Sequence, residues 1–344
     1  MKKITSLESL RLFASLGVFQ YHLWANYLGV AIFHPGTDYF MVLVGFVAAY
    51  SQARRIGRDG WTAYMRARYI RLYVTFIPLF FLTLIAKYKT ASVDWVVRSF
   101  FFLPIPNGLP LIGATWMLSR FLLFYLLFSL AFLVREEAVL APIFLFWVSG
   151  ILAYTWFGWN PGLPSHWSVF LFEERNLDFV FGYIVGIIAR AGRLDSQRAR
   201  WLFWVGVAGV IGSTLYPSVH QNQIGRSLWL GLPMMLLILG LVTLEQQGTP
   251  SVVVRTLTKP WLVWLGGTSY VLYLSHGMYL DLWSHTLPIT PLLVPLITLG
   301  GIFLGAAGYH FWEEPVLRYV HQRVWTISPF PPRFHRKGTA LLPK

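Results

Sequence analysis

Arg11 and His22 are the first residues of this chain whose types and spacing suit chemistry. On a helix of 3.6 residues per turn, eleven positions make about three turns, so both side chains point the same way with roughly 16 Å between them. A neutral imidazole, with an ordinary pKa near 6.5, can take up a proton, and a guanidinium keeps its charge and suits phosphate. Glu8 stands three residues before Arg11, a spacing at which the two pair, and Ser15 extends the same stripe. Asp38, Arg68, Arg71, Arg120, His276 and Glu313 follow in apolar surroundings. Each has a plainer reading. A lone histidine in an apolar helix serves as an interhelical hydrogen-bonding group, Arg68 and Arg71 serve as charged anchors, Asp38 caps a helix, and Glu313 neutralises a neighbouring arginine.

The elements that must hold these groups are set by composition. Of the 344 residues, 56% are hydrophobic and 12% charged, against about a quarter charged in soluble domains. The expected fold class is all-α, a polytopic integral membrane protein of about ten transmembrane helices in one domain over residues 1–327. A basic, proline-containing tail follows at 328–344. Spans of about 20 apolar residues are expected near 7–26, 37–53, 69–88, 115–134, 139–156, 168–190, 201–216, 226–244, 261–283 and 291–312. The sixth is interrupted by Glu173, Glu174 and Arg175, and the apolar run at 95–103 is too short to span and belongs in the interface or re-enters. The start Met1-Lys2-Lys3 reads as an uncleaved first helix.

The net charge of +14 would suggest nucleic acid in a soluble protein, but here it reads as cytoplasmic loops facing anionic lipid. With the N-terminus inside, only Lys87, Lys89, Arg98, Arg175 and Arg226 of the 28 basic residues fall on the far side, and Arg11 and Arg120 within spans. This bias predicts that both termini are cytoplasmic. Arg11 then lies in the cytoplasmic third of the bilayer with Arg68, Arg71 and Glu313, and His22 in the outer third with Asp38, Arg120 and His276. Such an order suits a phosphorylated donor from the cytoplasm and an acceptor from the far side. His34, His166, His220 and His285 fall in outer loops and His335 in the tail. The absence of cysteine excludes disulfides and thiol nucleophiles, and no His and carboxylate spacing suits zinc, so no metal is expected.

Several stretches resemble, in order, the family-3 membrane acyltransferases of bacteria. LESLRLFASLGVFQYH has the family's acidic residue, arginine and later histidine, on Glu8, Arg11 and His22. TDYFMVLVGFVAAY has the Gly-Phe step at Gly45 and Phe46, and RARYIRLYVTFIPLFF has two arginines separated by two residues, Arg68 and Arg71. TWMLSRFLLFYLLF keeps Trp116, Phe124 and Tyr125, LGGTSYVLYLSHG places the late histidine on His276, and FWEEPVLRYV places the closing acid on Glu313. The sequence departs from the family in having Glu8 for the commoner Asp and Phe121 where many members have a carboxylate.

The resemblance implies an enzyme of the bacterial inner membrane, surrounded by lipid, that moves an acyl group, most often acetyl, from acyl-CoA to a sugar hydroxyl. The carbohydrate acceptor expected is an exopolysaccharide or another cell-surface glycan. No bound cofactor is implied, since acyl-CoA is a substrate. His22, with Arg11 and Glu8, is then catalytic, Arg68, Arg71 and Glu313 meet the donor, and Asp38, Arg120 and His276 lie toward the acceptor. The alternative of another class is a transporter or flippase. It would be expected to carry internal repeats, and none is visible in the sequence.

Overall fold

The computed structural model describes residues 4–30, 35–106, 108–215 and 225–324. Lys2, Lys3, His34, His220, His335 and the expected tail at 328–344 lie outside them. Every regular element among the described residues is helical. The main ones are α1 (Ser6–Tyr27), α2 (Gly36–Val47), α3 (Trp61–Lys87), α4 (Val93–Phe100), α5 (Trp116–Val134), α6 (Leu140–Phe157), α7 (Ser165–Phe172), α8 (Leu177–Ala191), α9 (Ser196–Leu215), α10 (Leu232–Gln247), α11 (Val252–Leu257), α12 (Pro260–Gly267), α13 (Ser269–Thr286), α14 (Val294–Gly308) and α15 (Glu314–Val324). Three π turns accompany them, Ala48–Gln52 after α2, Ser227–Gly231 before α10 and Tyr309–Glu313 after α14. Such turns often sit at functional positions, and all three border polar clusters here.

Among the described residues, five segments are long and apolar enough to cross a membrane, namely 61–87, 113–134, 137–157, 227–247 and 291–320. Their burial separates two roles. The segments built on α5 and α10 are 67% and 61% buried and form the centre, whereas those on α3, α6 and α14 are only 22–28% buried. Phe81, Leu82, Phe146 and Phe303 on these outer helices are more than half exposed, as lipid-facing side chains should be.

The other expected spans differ in instructive ways. α1 is long enough, at 22 residues, but its polar stripe leaves it less apolar than those five. The sixth span is broken where Glu173 takes an extended conformation, leaving helices of 8 and 15 residues. The ninth is divided at Thr268 between α12 and α13. α3 starts at Trp61, so Arg68 and Arg71 stand two to three turns inside it instead of opening it. The apolar run near 95–103 forms the eight-residue α4, too short to span.

Close packing fixes α1 and α2 in the bundle. A side chain on Gly45 would meet the Phe179 carbonyl oxygen at 2.0 Å, and one on Gly182 would meet the Val42 oxygen at 1.9 Å, so bare backbones join α2 to α8. Gly266 of α12 lies in the same way against α1, its Cβ position 1.8 Å from the Glu8 carbonyl oxygen. Side-chain bonds to backbone finish the placement of α1. The Tyr39 hydroxyl donates to the Leu7 carbonyl at 2.7 Å, and Ser9 Oγ donates to the Leu257 carbonyl at 2.5 Å.

The start of α1 is held by a carboxylate from α10. Glu245 Oε1 accepts from Thr5 N at 2.7 Å and Thr5 Oγ1 at 2.9 Å, and Oε2 accepts from Ser6 N at 3.0 Å and Ser6 Oγ at 2.5 Å. These backbone N–H groups have no partner within the helix, and a negative charge there complements the helix dipole.

Candidate active site

The first level of the site is a cluster of arginines near the start of α1. The Arg11 guanidinium meets Glu8 at 3.0 Å, the pairing that their spacing predicts. Arg71 is ion-paired with Glu313, which is fully buried at the end of the third π turn and also accepts from Thr75 Oγ1 at 2.7 Å. The Trp312 indole donates to the Val74 carbonyl at 2.8 Å and fixes that turn against α3. The Arg71 guanidinium lies 5.4 Å from the centre of the Tyr270 ring, and the buried Arg68 lies over Tyr64 and Tyr125 at 5.4 and 5.7 Å. Arg11, Arg68 and Arg71 all act electrostatically on the Tyr125 hydroxyl. Arg68 lies against the buried Tyr125, Arg71 and Arg11 also act on its hydroxyl, and two carboxylates, Glu8 and Glu313, balance the three charges. The excess positive charge favours an anion at this level.

The second level is a pair of imidazoles. The rings of His22 and His276 are stacked, with centres 4.9 Å apart and planes 27° from parallel. α1 and α13 run parallel in register here, because Tyr27 and Asp281, five positions beyond each histidine, are hydrogen-bonded at 3.2 Å. His276 is buried, and its Nδ1 lies 2.5 Å from the Tyr273 carbonyl oxygen. A carbonyl only accepts, so Nδ1 carries the hydrogen and the Nε2 lone pair of the neutral ring is left free to accept. The Tyr273 hydroxyl in turn donates to the Ala114 carbonyl at 2.9 Å, which ties this part of α13 to the start of α5. His22 is half-buried, touches Tyr21 edge to face, and has Asn26 Nδ2 at 3.5 Å from its Nδ1, a long contact for a hydrogen bond.

Of the three residues expected in His22's layer, His276 is the one brought to its ring. Asp38 is committed to Arg226, with Nε to Oδ1 at 3.1 Å and Nη2 to Oδ2 at 2.7 Å. Arg226, expected on the far side at the start of a span, is buried. Arg120 is ion-paired with Glu173 and donates to Asn176 Oδ1 at 3.2 Å. The physical reason is common to both, since a charge removed from water is costly until an opposite charge faces it.

Sequence reasoning missed several participants. Tyr125 and Tyr270 were visible in the aligned stretches, but nothing local shows that they face arginines. Glu245 ends an apolar run and looks like an ordinary helix-end acid. Asp178, whose two carboxylate oxygens are buried without a hydrogen-bond partner beside the Asp38 and Arg226 pair, lay inside an expected span and was the signal to follow. Among the described residues, no three His, Asp or Glu side chains are grouped to hold a metal ion.

The model of a family described as an acyltransferase domain, acyltransferase 3, matches residues 4–310. The chain belongs to the acyltransferase 3 family. The match takes in α1 to α14 and every residue of the two levels from Glu8 to His276, and stops shortly before Glu313, the remaining acid of the first level. No curated protein and no solved structure matches the chain. Family membership and the apolar helices make this a multi-pass membrane acyltransferase.

Proposed function

We propose that the protein is an O-acyltransferase of the bacterial inner membrane that moves an acyl group, most often acetyl, from cytoplasmic acyl-CoA to a sugar hydroxyl of an exopolysaccharide or another surface glycan. The observation that carries this reading is the two-level site. An imidazole pair stands about three helical turns, roughly 16 Å, from a cluster of guanidiniums on the same side of α1. In this reading the chain crosses the bilayer ten times, with α7 and α8 together making one crossing and α12 and α13 another. Both termini are cytoplasmic, so the arginine level opens toward the donor compartment and the histidine level toward the acceptor.

The chemistry follows from the two levels. His22 accepts the proton of the sugar hydroxyl as its oxygen attacks the thioester carbonyl. The carbon–sulfur bond breaks, the ester forms, and the imidazolium returns the proton to the departing thiolate. Arg11, Arg68 and Arg71 bind the phosphates of the donor, and Glu8 and Glu313 orient two of these guanidiniums. His276 lies against the His22 ring on the acceptor side, while Asp38 and Arg120 act farther out by holding the helices that border that side. Acyl transfer from labelled acetyl-CoA by the protein in proteoliposomes tests the reading. Appearance of label as ester on a supplied surface glycan supports it, and movement of an unmodified solute without ester formation overturns it.

A further inference from the structure

A cleft opens where α8 and α10 end beside one another. It lies between Ile188, Ala189 and Leu194 around the end of α8 and Thr243, Gln246 and Gln247 at the end of α10. Its volume is about 310 Å³, within the range of about 300–1,000 Å³ usual for small-molecule sites. The helix α10 closes the long apolar segment 227–247, so the cleft stands at a membrane interface and not in the depth of the bilayer.

Its polar groups are those of an acceptor. Thr243 Oγ1 donates to the Leu239 carbonyl at 2.8 Å, and Gln246 Nε2 donates to the Tyr50 hydroxyl at 2.8 Å and the Ala189 carbonyl at 3.3 Å. Gln247 Nε2 donates to the Leu194 carbonyl at 2.5 Å. Carbonyls only accept, so these contacts fix which end of each amide is nitrogen. The two amide oxygens are left over, and neither is hydrogen-bonded among the described residues. The ends of α8 and α10 add carbonyls that have no partner within their helices, together with the partial negative charge of a helix C-terminus. Among the described residues, no charged side chain lines the cleft. Such a set of oxygens suits a primary ammonium, which presents only donors.

The surroundings identify what carries the ammonium. Ile184 and Ile187 stand one turn before Ile188 on α8 and are 38% and 43% exposed, so an apolar strip leads from the bilayer to the cleft. Arg193, exposed between the lining residues Gly192 and Leu194 in the turn to α9, offers a guanidinium to a phosphate beside the ammonium. We propose that this cleft holds the head of a phosphatidylethanolamine lipid, with its ammonium on the amide oxygens of Gln246 and Gln247, its phosphate at Arg193 and an acyl chain along Ile184 and Ile187. A choline head has no N–H to give these oxygens, and a serine head would bring a carboxylate against them.

Native mass spectrometry of the full chain released from detergent micelles, with dioleoyl lipids of ethanolamine, choline or glycerol head added in turn, tests this. The ethanolamine lipid binds about tenfold more tightly than the choline lipid, the worth of two hydrogen bonds of ordinary net strength. Gln247→Lys puts the protein's own ammonium in the cleft and removes most of that preference. Arg193→Gln weakens both lipids severalfold and keeps the preference. Gln247 and Arg193 are exposed, so both variants fold, as a monodisperse gel-filtration profile checks. Phosphoethanolamine in solution, which lacks the acyl chains, does not displace the lipid at equal concentration. Equal affinities for the ethanolamine and choline heads, a preference for the glycerol head, or an undiminished preference in Gln247→Lys overturns the proposal. So does native affinity in Arg193→Gln, and displacement by phosphoethanolamine assigns the cleft to a soluble amine instead.

Discussion

His22 and His276 stack with ring centres 4.9 Å apart, although 254 positions separate them in the chain. One ring is half-buried and the other buried, and the bond from His276 Nδ1 to the Tyr273 carbonyl fixes how the buried one lies. His276 is therefore placed to set the orientation of the His22 ring, the proposed base.

Removing that face should separate orientation from binding. His276→Ala lowers kcat on the order of 10- to 100-fold, the scale of a misplaced reacting group, with little change in the donor's KM. His276→Phe keeps an aromatic face and recovers part of the loss. A His276→Ala variant with native kcat would contradict this role.

The ion pair between Arg71 and Glu313 gives a second test. Glu313→Leu alone leaves Arg71 without its carboxylate. The expected cost is about 3 kcal/mol, at the low end for a buried pair because Arg71 is 32% exposed. Adding Arg71→Met removes the stranded charge and recovers most of the stability but none of the activity. Denaturant titration in detergent, run beside the transfer assay, reads both quantities. Activity returning with stability would show that the pair is structural only.

Gly266 is where the backbone of α1 leaves no room. Gly266→Ala puts a Cβ 1.8 Å from the Glu8 carbonyl oxygen, so α1 must shift. A loss of about 1–3 kcal/mol is expected, together with slower transfer, because Glu8 and Arg11 move with the helix. Gly17→Ala, with nothing within 4 Å of its Cβ, serves as the control that changes neither.

Glu245 holds the start of α1 with four accepted hydrogen bonds. Glu245→Ala should cost about 2 kcal/mol, the upper range of an N-cap loss. Glu245→Gln, which keeps one oxygen, should cost less. Thermal unfolding of the two variants orders them, and equal midpoints would show that the carboxylate does not stabilise the helix.

How much of this was legible in the sequence depended on range. Glu8, Arg11 and His22 lie on one helix, so spacing alone put them on one face and paired the first two. The arginines of α3 and the acid after α14 were recognisable as motifs, yet their pairing depends on the rotation of two helices and on a π turn that no local pattern signals. Arg226 counted only as a far-side cation in the sequence because its partner, Asp38, is 188 positions away. Glu173 marked an interruption in an expected span correctly, but not that the same residue would receive Arg120. The face of a helix could be read from periodicity, and the identity of long-range partners could not.

His22 is proposed as the base of the acyl transfer. The most direct measurement is esterification of a surface glycan by the protein in proteoliposomes, with acetyl-CoA labelled in the acetyl group, for native protein and His22→Ala at matched expression. The variant is expected to insert and fold as the native protein does and to lose at least about 100-fold in rate. Transfer by His22→Ala at a rate near that of the native protein would contradict it.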